Sequence, residues 1–140
     1  MRIAQLHNGI KIVYDNLDLF GTVSFGIFLG KGSKHEKDYE HGITHFIEHM
    51  LFKSNISFLK SSSIDNIEKR GALVNGFTTK EFICVHTKAL KSEIKPIINL
   101  LFDMFFSPLF LNDEINIEKK VMLPRYLVFS LKFHKAVYTG

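Results

Sequence analysis

His45, Glu48 and His49 fall within the stretch EHGITHFIEHMLFK, residues 40–53. The two histidines are four residues apart, so on a helix they stack on one face, and Glu48, three after His45, shares that side. Imidazole nitrogens placed in this way can hold one divalent ion from one side, and they suit Zn2+. A neighbouring carboxylate that does not bind the ion can take a proton from a metal-bound water. The order H-x-x-E-H reverses the commoner H-E-x-x-H. The plainer alternative is an amphipathic helix with exposed histidines, because Ile43, Phe46, Ile47, Met50 and Leu51 have core-facing spacing. The two readings are compatible: one face packs and the other coordinates.

The elements that must position this stretch can be read around it. Ala4–Leu6 and Ile10–Tyr14 flank Asn8-Gly9, a pairing that predicts a hairpin with both turn residues at positive φ. Thr22–Leu29 reads as a strand ended by Gly30, and residues 32–36 as a polar loop. The motif helix is expected over about Ile43–Phe52. A short helix over Ile64–Lys69 is expected to be capped by Ser63 and stopped by Gly71. Leu73–Phe77 and Phe82–Thr87 read as two strands. Ser92 is expected to cap a helix whose apolar stripe runs from Ile94 to Phe105, with Ser107-Pro108 ending it. A last helix opens at Asn112 or Asp113. Early strands in hairpin order, mixed with helices, predict an α+β fold with a mostly antiparallel sheet backed by helices.

At 140 residues the chain is at most one domain, and 46% hydrophobic with 23% charged residues is ordinary globular composition. A net charge of +4 from scattered lysines carries no nucleic-acid footprint. The single cysteine, Cys84, sits in an apolar run and reads as a small core residue. No apolar run approaches a membrane span, so no membrane partner is expected. The opening MRIAQLHNG lacks a signal-peptide core, which points to a cytoplasmic or equivalent reducing compartment.

Several ordered stretches resemble one family. Leu6-His7-Asn8-Gly9-Ile10-Lys11-Ile12-Val13, Gly32-Ser33-Lys34-His35-Glu36, the block His41–Lys53, the block Gly71–Phe82 and Ile117–Leu123 are similar, in that order, to the N-terminal domain of the pitrilysin/insulinase zinc metallopeptidases. That group, the inverzincins, includes the mitochondrial processing peptidase. The resemblance implies a largely antiparallel sheet backed by helices, a Zn2+ cofactor held by His45 and His49, and Glu48 as the base that activates water. It implies that the strand through Asn75, Gly76 and Phe77 lies along the cleft and offers backbone groups to an extended peptide. It also implies a peptide or protein substrate and a second peptidase-like domain or chain that closes over it.

The resemblance breaks at one point. The family's third zinc ligand is a glutamate about 76 residues beyond the second histidine, and that position here is Arg125. A guanidinium has no lone pair to give and stays protonated. Glu118, seven residues earlier, matches a glutamate that supports the family's site from outside the ligand set, and could act as a substitute ligand only after rearrangement. Pro124 beside Arg125 disfavours helix, and residues 124–140 contain no Asp or Glu although fourteen acids precede them. The sequence therefore reads as a peptidase-type domain over residues 1–123, about two-thirds of the family's N-terminal unit, followed by a divergent tail over 124–140, as in a truncated or frame-disrupted relative. Three functions follow: a zinc peptidase, a non-catalytic peptide- or subunit-binding relative, or half of a site completed by another chain.

Overall fold

The computed structural model of the chain describes residues 1–17, 19–53 and 64–122. Strands β1 (Arg2–Gln5) and β2 (Lys11–Tyr14) form an antiparallel ribbon in which Arg2 faces Tyr14. β3 (Thr22–Leu29), β4 (Leu73–Thr78) and β5 (Ile83–Leu90) form a second antiparallel sheet in the order β3-β5-β4. The helices are α1 (Ile43–Lys53), α2 (Ile64–Lys69), α3 (Ile94–Phe106) and α4, which covers residues 112–122 of the described chain. This is the α+β architecture with antiparallel sheet that the sequence predicts.

The alternation along β5 explains how the layers form. Ile83, Val85, Thr87 and Ala89 are buried beneath the helices, whereas His86, Lys88 and Leu90 face outward and are exposed. Leu51 of α1, Ile67 of α2 and Ile97, Leu100, Leu101 and Met104 of α3 close over that inner face. Burying one such side chain contributes about 1.5–3 kcal/mol, so this layer supplies the main attraction holding α1 to the sheet. Phe52 of α1 lies against Gly76 of β4 so closely that a Cβ there would come within 2.7 Å of its ring.

Most expected elements are present, with three corrections. The first turn is not a two-residue loop with paired positive φ. Gly9 N–H donates to Leu6 O and Leu6 N–H donates to Ile10 O, and of the loop residues only Gly9 is left-handed, at φ 86°. That is a three-residue loop, which needs one glycine rather than two permissive residues. β5 runs to Leu90 rather than Thr87, because β3 pairs with it along its whole length, from Thr22↔Leu90 to Leu29↔Ile83. Ser92 does not cap α3: it lies inside a 3-10 turn, Lys91–Glu93, and Glu93 takes the cap position with no side-chain cap bond. The expected cap Ser63 lies outside the described residues.

Candidate metal centre

α1 carries all three residues of the H-x-x-E-H motif on the side that meets the end of β4 and α4. His45 Nε2 and His49 Nε2 stand 3.1 Å apart, with the rings nearly perpendicular at 84°. An ion held about 2.0–2.1 Å from each of two imidazole nitrogens in tetrahedral geometry would space them at about 3.3 Å. The observed separation, a hydrogen-bond distance, lies within a few tenths of an ångström of that spacing. Among the described residues, no cluster of three or more His, Cys, Asp and Glu side chains forms a cage around such a point. The pair therefore fits one side of a zinc site, for which the described residues supply no third ligand. Arg125 lies outside the described residues.

Glu118 of α4 is 1% exposed and reaches α1 from behind. Its Oε1 accepts from His49 Nδ1–H at 2.7 Å, and its Oε2 forms an ion pair with Lys53 Nζ at 2.5 Å. A hydrogen on Nδ1 makes Nε2 the lone-pair nitrogen of His49, here accepting from His45 Nε2–H, and holding that tautomer is how an outer carboxylate orients a ligating histidine. The carboxylate sits on the Nδ1 side of the ring, away from the point where the two Nε2 atoms meet. That position suits orientation of His49, not direct substitution for a missing ligand.

Glu48 is buried, and its Oε2 accepts from the hydroxyl of Thr78, at the end of β4, at 2.8 Å. One carboxylate oxygen is thereby fixed by the sheet while the helix fixes the Cα. Asn75, Gly76 and Phe77 all lie on β4, an edge strand of its sheet. The Asn75 side chain accepts from Gly76 N–H at 2.8 Å, Gly76 faces Phe52, and Phe77 is exposed beside His86 with ring centroids 5.9 Å apart.

The N-terminus of α1 is held by a residue outside the helix. Glu36 accepts from Gly42 N–H at 2.8 Å and from Thr44 N–H at 2.9 Å. Sequence reasoning assigned no role to Glu36, Lys53 or Thr78. Lys53 carried a signal, since it follows His49 by one helical turn. The partnerships of Glu36 and Thr78 depend on how loop and strand meet α1, which no local spacing encodes.

Both supporting carboxylates titrate below the ordinary range. Burial alone would raise Glu118, but Lys53 and His49 outweigh it and lower its pKa. Burial would likewise raise Glu36, and hydrogen bonds from Thr44 and Gly42, with the charge of His41, lower it. A carboxylate depressed in the fold stabilises it above the unfolded value and loses that contribution as pH falls through the folded value. The chain should therefore lose stability below pH about 4.5, the ordinary carboxylate value. Urea midpoints measured from pH 7 to pH 3 should fall more steeply for the wild type than for Glu118→Gln; parallel slopes would contradict this assignment.

The geometry agrees with what the chain resembles. The sequence profile of the family described as insulinase, peptidase family M16, matches residues 11–138. The uncharacterized zinc protease YmxG of Bacillus subtilis is 36% identical over 115 residues, covering 82% of this chain and 28% of that protein. The mitochondrial-processing peptidase subunit beta of Dictyostelium discoideum is 32% identical over 124 residues, covering 87% of this chain and 26% of that protein. Among solved structures, a protease from Helicobacter pylori superposes with a TM-score of 0.76 at 22% identity, over 86% of this chain and 29% of that one. The first half of the periplasmic protease PqqL from Escherichia coli superposes with a TM-score of 0.74 at 22% identity, over 91% of this chain and 29% of that one. The chain spans little more than a quarter of the length of these curated relatives. No described helix is long and apolar enough to cross a membrane.

Proposed function

The chain belongs to the insulinase family, peptidase family M16, and on that footing we propose that it is a zinc-dependent peptidase domain whose metal centre it begins but does not complete alone. The observation that carries this reading is the meeting of His45 Nε2 and His49 Nε2 at 3.1 Å, with His49 oriented from behind by buried Glu118. His45 and His49 hold the ion. When bound, it supplies the positive charge that makes a water acidic and a peptide carbonyl electrophilic. Glu48 accepts the proton of the attacking water on the oxygen that Thr78 leaves free. Glu118 keeps the hydrogen of His49 on Nδ1.

The substrate is an extended peptide. The place of β4 at the edge of its sheet among the described residues supports this, because an edge strand offers backbone groups to an added strand. In this reading Asn75, Gly76 and Phe77 run beside the peptide. Residues 1–123 form the peptidase-type unit and 124–140 a divergent tail. The cleft is completed by a second peptidase-like domain or chain.

A second reading is favoured by Arg125, which stands where the resemblance places the third ligand. The 140-residue chain by itself then binds zinc weakly and acts as a non-catalytic, peptide- or subunit-binding member of the family. Metal analysis of the purified chain should find bound zinc that His49→Ala abolishes, with affinity lowered at least 100-fold. Hydrolysis by the same sample should not exceed that of Glu48→Gln. Wild type and His49→Ala holding equal zinc would remove the metal-centre reading. Cleavage above the Glu48→Gln level would show the chain to be a complete enzyme.

A further inference from the structure

We propose that Glu36 is a positioning residue of the centre, setting the location of His45 against His49 through the first turn of α1. The inference deepens the metal-centre reading and rests on it only for its second readout.

Four of the first backbone N–H groups of any helix lack partners within it. They are usually satisfied by a capping side chain one to three residues ahead. Gly42, which precedes α1 with φ 87°, offers no side-chain acceptor, and the carbonyl of Glu40 takes only Ile43 N–H. The neighbouring N–H groups are taken by a carboxylate six residues upstream of Gly42. Glu36 Oε2 takes Gly42 N–H at 2.8 Å and Oε1 takes Thr44 N–H at 2.9 Å, so both oxygens are engaged across the helix start. Thr44 is buried and immediately precedes His45.

The loop carrying Glu36 is itself anchored to the sheet. Ser33 N–H donates to Thr79 O at 3.0 Å and Lys34 N–H to Lys80 O at 2.9 Å, in the turn that joins β4 to β5. One residue before that turn is Thr78, which holds Glu48. A single path of hydrogen bonds therefore connects the strand that fixes Glu48 to the turn of helix that fixes His45. A carboxylate at a helix N-terminus is also favoured by the helix dipole. His49 has its own anchor in Glu118, whereas among the described residues the His45 ring meets only the His49 ring. The location of His45 thus depends on the backbone that Glu36 grips.

The test is Glu36→Gln, which keeps length and shape but offers one acceptor where two are used and sets an amide N–H against an N–H. Ile97→Val serves as control: Ile97 is buried on α3, and its loss of a methyl costs about 0.5–1.5 kcal/mol, comparable to a lost cap. In the metal-free chain, imidazole 15N–1H spectra should show the His45 and His49 rings displaced in Glu36→Gln and undisplaced in Ile97→Val. Zinc affinity should fall about tenfold in Glu36→Gln alone. Ring resonances unchanged in Glu36→Gln, or changed equally in both variants, would overturn the proposal. If the rings move in Glu36→Gln alone but the wild type holds no more zinc than His49→Ala, the positioning role stands and the metal-centre reading fails.

Discussion

Replacing Arg125 with glutamate is expected to tighten zinc binding on the order of 100-fold, equivalent to about 2.7 kcal/mol. The residue follows Glu118 by seven positions, and Glu118 is the carboxylate that already reaches His49 from α4. If position 125 is where the proposed third ligand belongs, arginine there would give the ion no lone pair and would bring a permanent positive charge. On the same proposal glutamate would supply an oxygen donor and reverse that charge, giving the three protein ligands usual in a catalytic zinc site. Competition against a chromophoric chelator, at a pH where histidine is neutral, would read the change. His49→Ala placed in the Arg125→Glu background should return affinity to the level of His49→Ala alone. Equal affinities for wild type and Arg125→Glu would mean that position 125 does not face the ion, and the proposed origin of weak binding would be wrong.

Gly32→Ala should destabilise the chain by on the order of 3 kcal/mol, the scale of a backbone clash plus lost buried hydrogen bonds. Gly32 is buried, and a Cβ there would lie 2.4 Å from Thr79 O and 2.5 Å from both Glu81 N and the Lys80 carbonyl carbon. All three are backbone atoms of the β4–β5 turn, so no side chain can swing aside. The two strands of backbone would have to separate, breaking the bonds of Ser33 to Thr79 O and Lys34 to Lys80 O. Gly30→Ala makes a matched control, since a Cβ at Gly30 meets nothing within 4 Å. In urea, Gly32→Ala should shift the midpoint strongly and Gly30→Ala by little; similar shifts for the two would show that the close approach at Gly32 does not matter.

The parts of this structure that were legible in the sequence are those set by local periodicity. Thr22–Leu29 and Ile64–Lys69 have the boundaries their residue patterns predict, and the motif helix differs by one residue, ending at Lys53. The spacing of His45 and His49 was enough to anticipate that the rings meet. What escaped depends on contacts between distant residues. The last three residues of β5 are strand because β3 lies alongside them. The supports of the candidate site are similar: Thr78 lies thirty residues from Glu48, and Glu118 lies sixty-nine from His49. Glu118 could be anticipated only through family resemblance. Glu36 was visible as part of a matching loop, yet nothing in its neighbours indicates that both its oxygens would be used by α1.

The β1–β2 ribbon gives the molecule an uneven distribution of cohesion. All eight of its strand residues are exposed, and among the described residues it pairs in a sheet with nothing but itself. Two strands alone are marginal in water, so this ribbon should be the part of the described fold that opens most readily. The ribbon already presents Ile3, Ile12 and Val13, and its release would add unpaired backbone groups beside that apolar surface. Self-association of this chain would then start at the ribbon rather than at the sheet that carries Thr78, the partner of Glu48.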